Sequence, residues 1–197
     1  MSESKIFSPA VRDVQVRRGS RAAYEKLEAR GGFGSLVTPE LAEFIAARDS
    51  FFLATAGADG QPYVQHRGGP PGFLKVLDER TLAFADFRGN RQYITVGNLS
   101  ENERAFVFLI DWAEQRRIKL WCRARVVEDD PALLARLADP SYEARPEQAI
   151  VLTVEHWNEN CSQHIPQLLP VPDVARAFEA LKQENQELRA RLSAADG

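Results

Sequence analysis

From Arg116 to Val127 the chain alternates without a break. Ile118, Leu120, Cys122, Ala124 and Val126 fall on one side of an extended strand; Arg117, Lys119, Trp121, Arg123 and Arg125 fall on the other. A helix cannot sort these residues, because a period of 3.6 scatters both sets around its axis. The segment is therefore a half-buried strand, and its apolar face requires a sheet of similar strands to cover it. The basic face reads either as a solvated outer surface or as a strand running past a bound anion. Trp121 in its middle argues against full exposure.

The neighbouring sequence supplies the other strands. Phe51–Ala56, the turn Asp59-Gly60 and Pro62–Arg67 read as one hairpin. Phe73–Leu77, the turn 78–80 and Thr81–Asp86 read as a second. Arg104–Ile110 and Ala149–Trp157 add two more strands. Short helices are expected at 21–30, opened by Ser20 and closed by Gly31-Gly32, and from Thr38-Pro39-Glu40, with Leu41, Phe44 and Ile45 on one face. Further helices are expected at 90–98, ending near Gly97, and at 131–138. Residues 1–19 are polar and aperiodic and read as an arm on the surface or across a partner. Six or seven antiparallel strands with helices at the corners point to a mainly β (α+β) fold, a closed or nearly closed barrel.

Composition sets the outer limits. The chain has 197 residues, 44% of them hydrophobic and 27% charged, as in an ordinary globular protein. Its net charge of −3 gives no overall attraction to nucleic acid or to an anionic membrane, so neither is expected as a partner. Cys122 and Cys161 are too few for a disulfide framework, no signal-peptide pattern opens the chain, and a cytoplasmic location is expected. Dinucleotide, P-loop and His-Glu-x-x-His motifs are missing, and His66, His156 and His164 lack metal-ligand spacing; no metal is expected.

The tail has its own pattern. Val174, Phe178, Leu181, Asn185, Leu188 and Leu192 recur at alternating spacings of four and three, with Asn185 at a core a position, Glu184 at g and Arg189 at e. This fits a short coiled coil or an amphipathic helix packed on its own barrel, and Glu187/Arg191 support a helix either way. The chain thus divides into an N-terminal arm and helix (1–37), a barrel domain (38–167), and a linker with C-terminal helix (168–197).

Two polar clusters carry the chemistry. Residues 65–73 read Gln-His-Arg-Gly-Gly-Pro-Pro-Gly-Phe, and Arg88-Gly89-Asn90-Arg91-Gln92 follows one hairpin later. Arginine beside glycine brings planar donor pairs and an unobstructed main chain together, the combination that holds phosphate. The glycine-proline stretch could equally be a wide, stiff turn. His164 could be a structural histidine, and Cys161 a small packing residue.

In order and spacing, these segments resemble the pyridoxamine 5′-phosphate oxidase-like, FMN-binding split-barrel family. The matching pieces are Phe52–Ala56, Pro62–Gly69, Leu82–Gln92, Asn98 with Arg104–Leu109, Ile118–Ala124 and Asn160–Pro166. The resemblance implies an antiparallel split barrel that holds FMN in a groove between the subunits of a homodimer. Gln65, His66, Arg67 and Gly68 would form the strand at the flavin edge. Asn90, Arg91 and Gln92 match the family's Ser-Arg-Lys phosphate loop, two of the three positions differing, and Arg88 could replace the lost lysine charge. Lys119, Trp121 and Arg123 would pass the cofactor, and Asn160, Cys161 and His164 would complete the pocket. The implied activity is that of a flavin-dependent oxidoreductase acting on a small molecule or NAD(P)H, with no catalytic acid or base assignable. Pyridoxamine phosphate is not the expected substrate, because a charged helix stands where the true oxidase has an arginine-rich terminus. A flavin- or haem-binding module without turnover, a sensor or storage protein, is the alternative.

Overall fold

The computed structural model describes residues 6–160 and 162–195. Its strands are β1 (Ser50–Ala56), β2 (Pro62–Gly68), β3 (Lys75–Val76), β4 (Thr81–Phe87), β5 (Arg104–Asp111), β6 (Arg116–Val127) and β7 (Pro146–Asn160). They form one antiparallel sheet in the order β2-β1-β5-β6-β7-β4-β3. The helices are α1 (Pro9–Arg17), α2 (Arg21–Ala29), α3 (Pro39–Ala46), α4 (Ile94–Glu101), α5 (Pro131–Leu137) and α6 (Val171–Ala195). The fold is the α+β antiparallel split barrel expected from the sequence.

The inward rows follow the alternation. Phe51 and Leu53 of β1, Leu82 and Phe84 of β4, Val107 and Leu109 of β5, and Ile118 and Leu120 of β6 are fully buried, together with Ile150 and Leu152 of β7. Each such side chain contributes roughly 1.5–3 kcal/mol by leaving water. Leu41, Phe44 and Ile45 of α3 pack into the same core. That helix begins as expected: Thr38 Oγ1 accepts from the Leu41 amide at 3.3 Å, with Pro39 in the first turn.

Four local expectations need correction. Residues 9–17 form α1, not an arm: Ser8 caps it and Pro9 opens it, the same Ser/Thr-Pro device that starts α3. Ser20 stands at the start of α2 but makes no side-chain capping bond. Strand β3 is two residues long instead of five. Helix α4 starts at Ile94 and runs through Gly97, which leaves 90–93 as loop, with Arg91 at φ 61° and Tyr93 at φ 52°. The glycine-proline stretch is a tied turn: the amides of Gly69 and Gly72 donate to the carbonyls of Asp49 and Arg48, each at 2.9 Å. Gly72 sits at φ +75°, where a side chain would also press on the Ala46 carbonyl.

The chain divides into two compact units. One comprises the residues up to Leu109 together with Ile118–Asn160; the other comprises Ile110–Arg117 and the residues beyond 160. In the second unit, Gln115 Nε2 donates to the Ile165 carbonyl at 2.5 Å and Gln167 Nε2 to the Ala113 carbonyl at 2.8 Å.

Candidate functional site

Strand β2 lies at one end of the sheet order and β4 near the other, yet their side chains meet. Register places Arg67 opposite Phe51 and Gln65 opposite Leu53, so both polar residues point inward from β2. Asp86 continues the inward row of Leu82 and Phe84 on β4. Arg67 Nη1 donates to Asp86 Oδ1 at 2.5 Å, and the two side chains are 12% and 10% exposed. Gln148 Nε2 of β7 donates to the other carboxylate oxygen of Asp86 at 2.9 Å. The guanidinium also lies 5.7 Å from the Phe84 ring centroid, a cation–π distance. Its Nε is buried and has no hydrogen-bond partner among the described residues. Such an unused buried donor costs about 1–3 kcal/mol unless something accepts from it.

This ion pair lies in a cleft whose rim is the 89–93 loop. Gln65, Arg67, Asp86, Asn90, Arg91 and Tyr93 line it, with Thr95 and Glu147 beside them. Thr95 Oγ1 donates to Gln65 Oε1 at 2.9 Å and fixes that amide. The loop is held by the Gln92 amide, which donates to Asn90 Oδ1 at 3.2 Å, and by the Arg88 amide, which donates to the Arg145 carbonyl at 2.9 Å. Tyr93 Oη donates to Glu147 Oε2 at 3.3 Å, and Arg88 Nε lies 3.6 Å from Glu147 Oε1. A hydrogen bond with Tyr93, aided by the charge of Glu147, holds the Arg91 guanidinium still more firmly protonated. Around the cleft, the guanidinium groups of Arg67, Arg88 and Arg91 stand against two carboxylates, Asp86 and Glu147. The surplus is positive, which suits an anion. The cleft volume is ≈ 50 Å³, far below the roughly 300–1,000 Å³ of sites that engulf a drug-sized ligand.

The other expected residues lie elsewhere. Gln92 is exposed and lies outside the cleft lining. His66 alternates to the outer face of β2, edge-on to Phe52 at 5.7 Å. Gly68 ends β2, where an added Cβ would sit 3.1 Å from His66 Cε1. Lys119, Trp121 and Arg123 share the outer face of β6. Trp121 stacks on Phe33 at 5.7 Å and meets Phe106 edge-on at 5.2 Å. Arg123 bridges Glu103 and Glu155. His164 is exposed at φ 63°, in the second unit. Asn160 ends β7, its side chain outside the described residues, as is the whole of Cys161. Burial pushes the Cys122 thiol up to about 12, so it is not a nucleophile at neutral pH. Among the described residues no three His, Cys, Asp or Glu side chains are grouped to hold a metal ion, and no helix is long and apolar enough to cross a membrane.

Asp86, Gln148, Thr95, Tyr93 and Glu147 escaped sequence reasoning. One signal was present: Asp86 stands in the otherwise apolar run Leu82–Phe87, and a buried carboxylate must find a cation.

No curated protein matches this chain. Among solved structures, HupZ of Group A Streptococcus superposes with a TM-score of 0.52 at 16% identity, covering 67% of this chain and 98% of its own. An FMN-binding protein from Syntrophomonas wolfei superposes with a TM-score of 0.48 at 14% identity, covering 79% and 99%. The likeness to HupZ speaks for the fold alone. The family model of pyridoxamine 5′-phosphate oxidase matches residues 37–161, well over half of the 197 residues, and so this chain belongs to the pyridoxamine 5′-phosphate oxidase family.

Proposed function

We propose that this protein binds FMN at a site completed between two copies of the chain and works as an oxidoreductase on a small molecule or NAD(P)H. The observation that carries this reading is the cationic cleft, with the unsatisfied Nε of Arg67 at its base. The residues fit the group. Arg91, Asn90 and Arg88 would hold the phosphate, and Gln65 and Arg67 the polar edge of the ring. Bound flavin supplies electron transfer at its ring; the chain holds, orients and polarises it.

A cleft of this volume takes a phosphate and leaves a ring to be covered from outside. The outer sheet face offers a cover, because Phe52 and Val64 stay 37% and 60% exposed there. His66, Lys119, Trp121 and Arg123, on that same face, would serve the site of the second copy. Apolar strand surface around Phe106 and Phe108 belongs to the proposed interface.

Absorbance of the purified protein, with mass analysis of whatever is released on denaturation, tests the cofactor directly. Arg91→Ala should weaken FMN binding by about tenfold to a hundredfold, the worth of one charge-assisted contact, and leave riboflavin almost unaffected. Equal losses for both ligands would overturn the phosphate role. Sedimentation at low micromolar concentration should show dimers, with flavin lost as they dissociate; a flavin-loaded monomer refutes the shared site. Oxidation of NADH or NADPH separates an enzyme from a binding module.

A further inference from the structure

Helix α6 is 25 residues long, about 37 Å at 1.5 Å per residue. Its large apolar residues are exposed: Val174 by 49%, Phe178 by 65%, Leu181 by 64%, Leu188 by 50% and Leu192 by 65%. With Asn185 they form one narrow seam, spaced four and three in turn, while from Asp173 onward charged, amide and small residues fill the remaining surface. A helix that packs on a globular core carries a broader stripe, with apolar residues at three or more positions of every seven. A seam restricted to two positions is the pattern of helix against like helix.

We infer that residues 174–192 pair with the same residues of a second copy as a parallel, in-register two-stranded coiled coil. Polar chemistry sets the direction. In the parallel arrangement Asn185 faces its twin and both amides are satisfied, and Glu184 at g reaches Arg189 at e of the other helix, a favourable charge pair made twice. In an antiparallel arrangement over the same span Asn185 falls opposite Leu181, and a polar amide is buried without a partner. A single Asn at an a position specifies register and oligomer state, as Asn185 would here. Three heptads are marginal alone, but tethering at a second contact raises their effective concentration to the millimolar range. The pairing goes beyond the flavin reading and is tested apart from it.

The test uses the full chain with Cys161→Ser and single cysteines at the two ends of the seam. Under mild oxidation Leu192→Cys should form a covalent dimer. A mixture of Val174→Cys and Leu192→Cys should give only like-with-like products. Mixed products would establish antiparallel pairing, and no Leu192→Cys dimer would show that the helices do not pair; either result overturns the inference. Asn185→Leu should raise the midpoint of thermal unfolding of the helix pair and admit larger oligomers in sedimentation. An unchanged midpoint with unchanged assembly would remove Asn185 from the core.

Discussion

Arg67 and Arg123 each project from a strand of the same sheet toward carboxylates, and they do opposite things. Arg123 is 42% exposed and satisfied twice over, by Glu103 and Glu155. Arg67 is only 12% exposed, ion-paired through Nη1, and keeps one buried donor unmatched. An exposed pair gains little because water screens it and two long side chains must be ordered. A buried pair must offset a large desolvation cost, so stability alone is a poor reason to keep it. The comparison teaches where to look within one chain: the expensive arginine marks the cleft, and the comfortable one marks the outer face.

The largest effect should come from removing half of the buried pair. Asp86→Ala leaves the Arg67 charge alone in the barrel and Gln148 without its acceptor, and should cost about 3–5 kcal/mol in urea unfolding. A loss below 1 kcal/mol would place Arg67 in contact with water and erase the contrast. Next, Arg67→Met combined with Asp86→Asn keeps an acceptor for Gln148 and removes both charges. It should recover most of that stability, to within about 1 kcal/mol of the parent, while FMN binding is lost. Full flavin binding by this double variant would take Arg67 out of the site. The smallest effect belongs to Arg123→Ala, a slight loss that fades as salt is added. A loss as large as that of Asp86→Ala would erase the contrast between the two arginines.

What the sequence disclosed, it disclosed through period and punctuation. Strand β6 was legible to the residue, since twelve residues of alternation admit no other reading. Helix α3 was legible because Thr38, Pro39 and Glu40 supply its cap, first turn and dipole partner. The same logic was available at Ser8-Pro9 and was hidden by the polar composition of α1. Gly97 misled in the other direction: glycine commonly ends helices, but here it lies inside α4, with nothing within 4 Å of where a Cβ would sit. Two of the cleft strands, β2 and β4, could be located from local pattern. Their meeting could not, because it depends on how a seven-stranded sheet curls, and no local signal encodes that. Hence Gln65, Arg67, Asn90 and Arg91 were expected together on family resemblance, whereas Asp86 and Gln148, which complete the polar floor, surfaced only in three dimensions.

The Arg67–Asp86 contact also makes the barrel's closure a matter of side chains. Elsewhere neighbouring strands are laced by ladders of main-chain hydrogen bonds, such as the seven paired positions of β1 with β2. Between β2 and β4 the described structure has no ladder; Arg67 makes the contact, through its ion pair with Asp86 and its approach to the Phe84 ring. Proteins open first where main-chain protection is thinnest, so amide exchange should begin along the free side of β2 and the far half of β4. A ligand gripping both Arg67 and the loop after β4 would bridge that seam and slow exchange on both strands at once. Occupancy would then be readable as the tightness of the whole sheet, far from any atom the ligand touches.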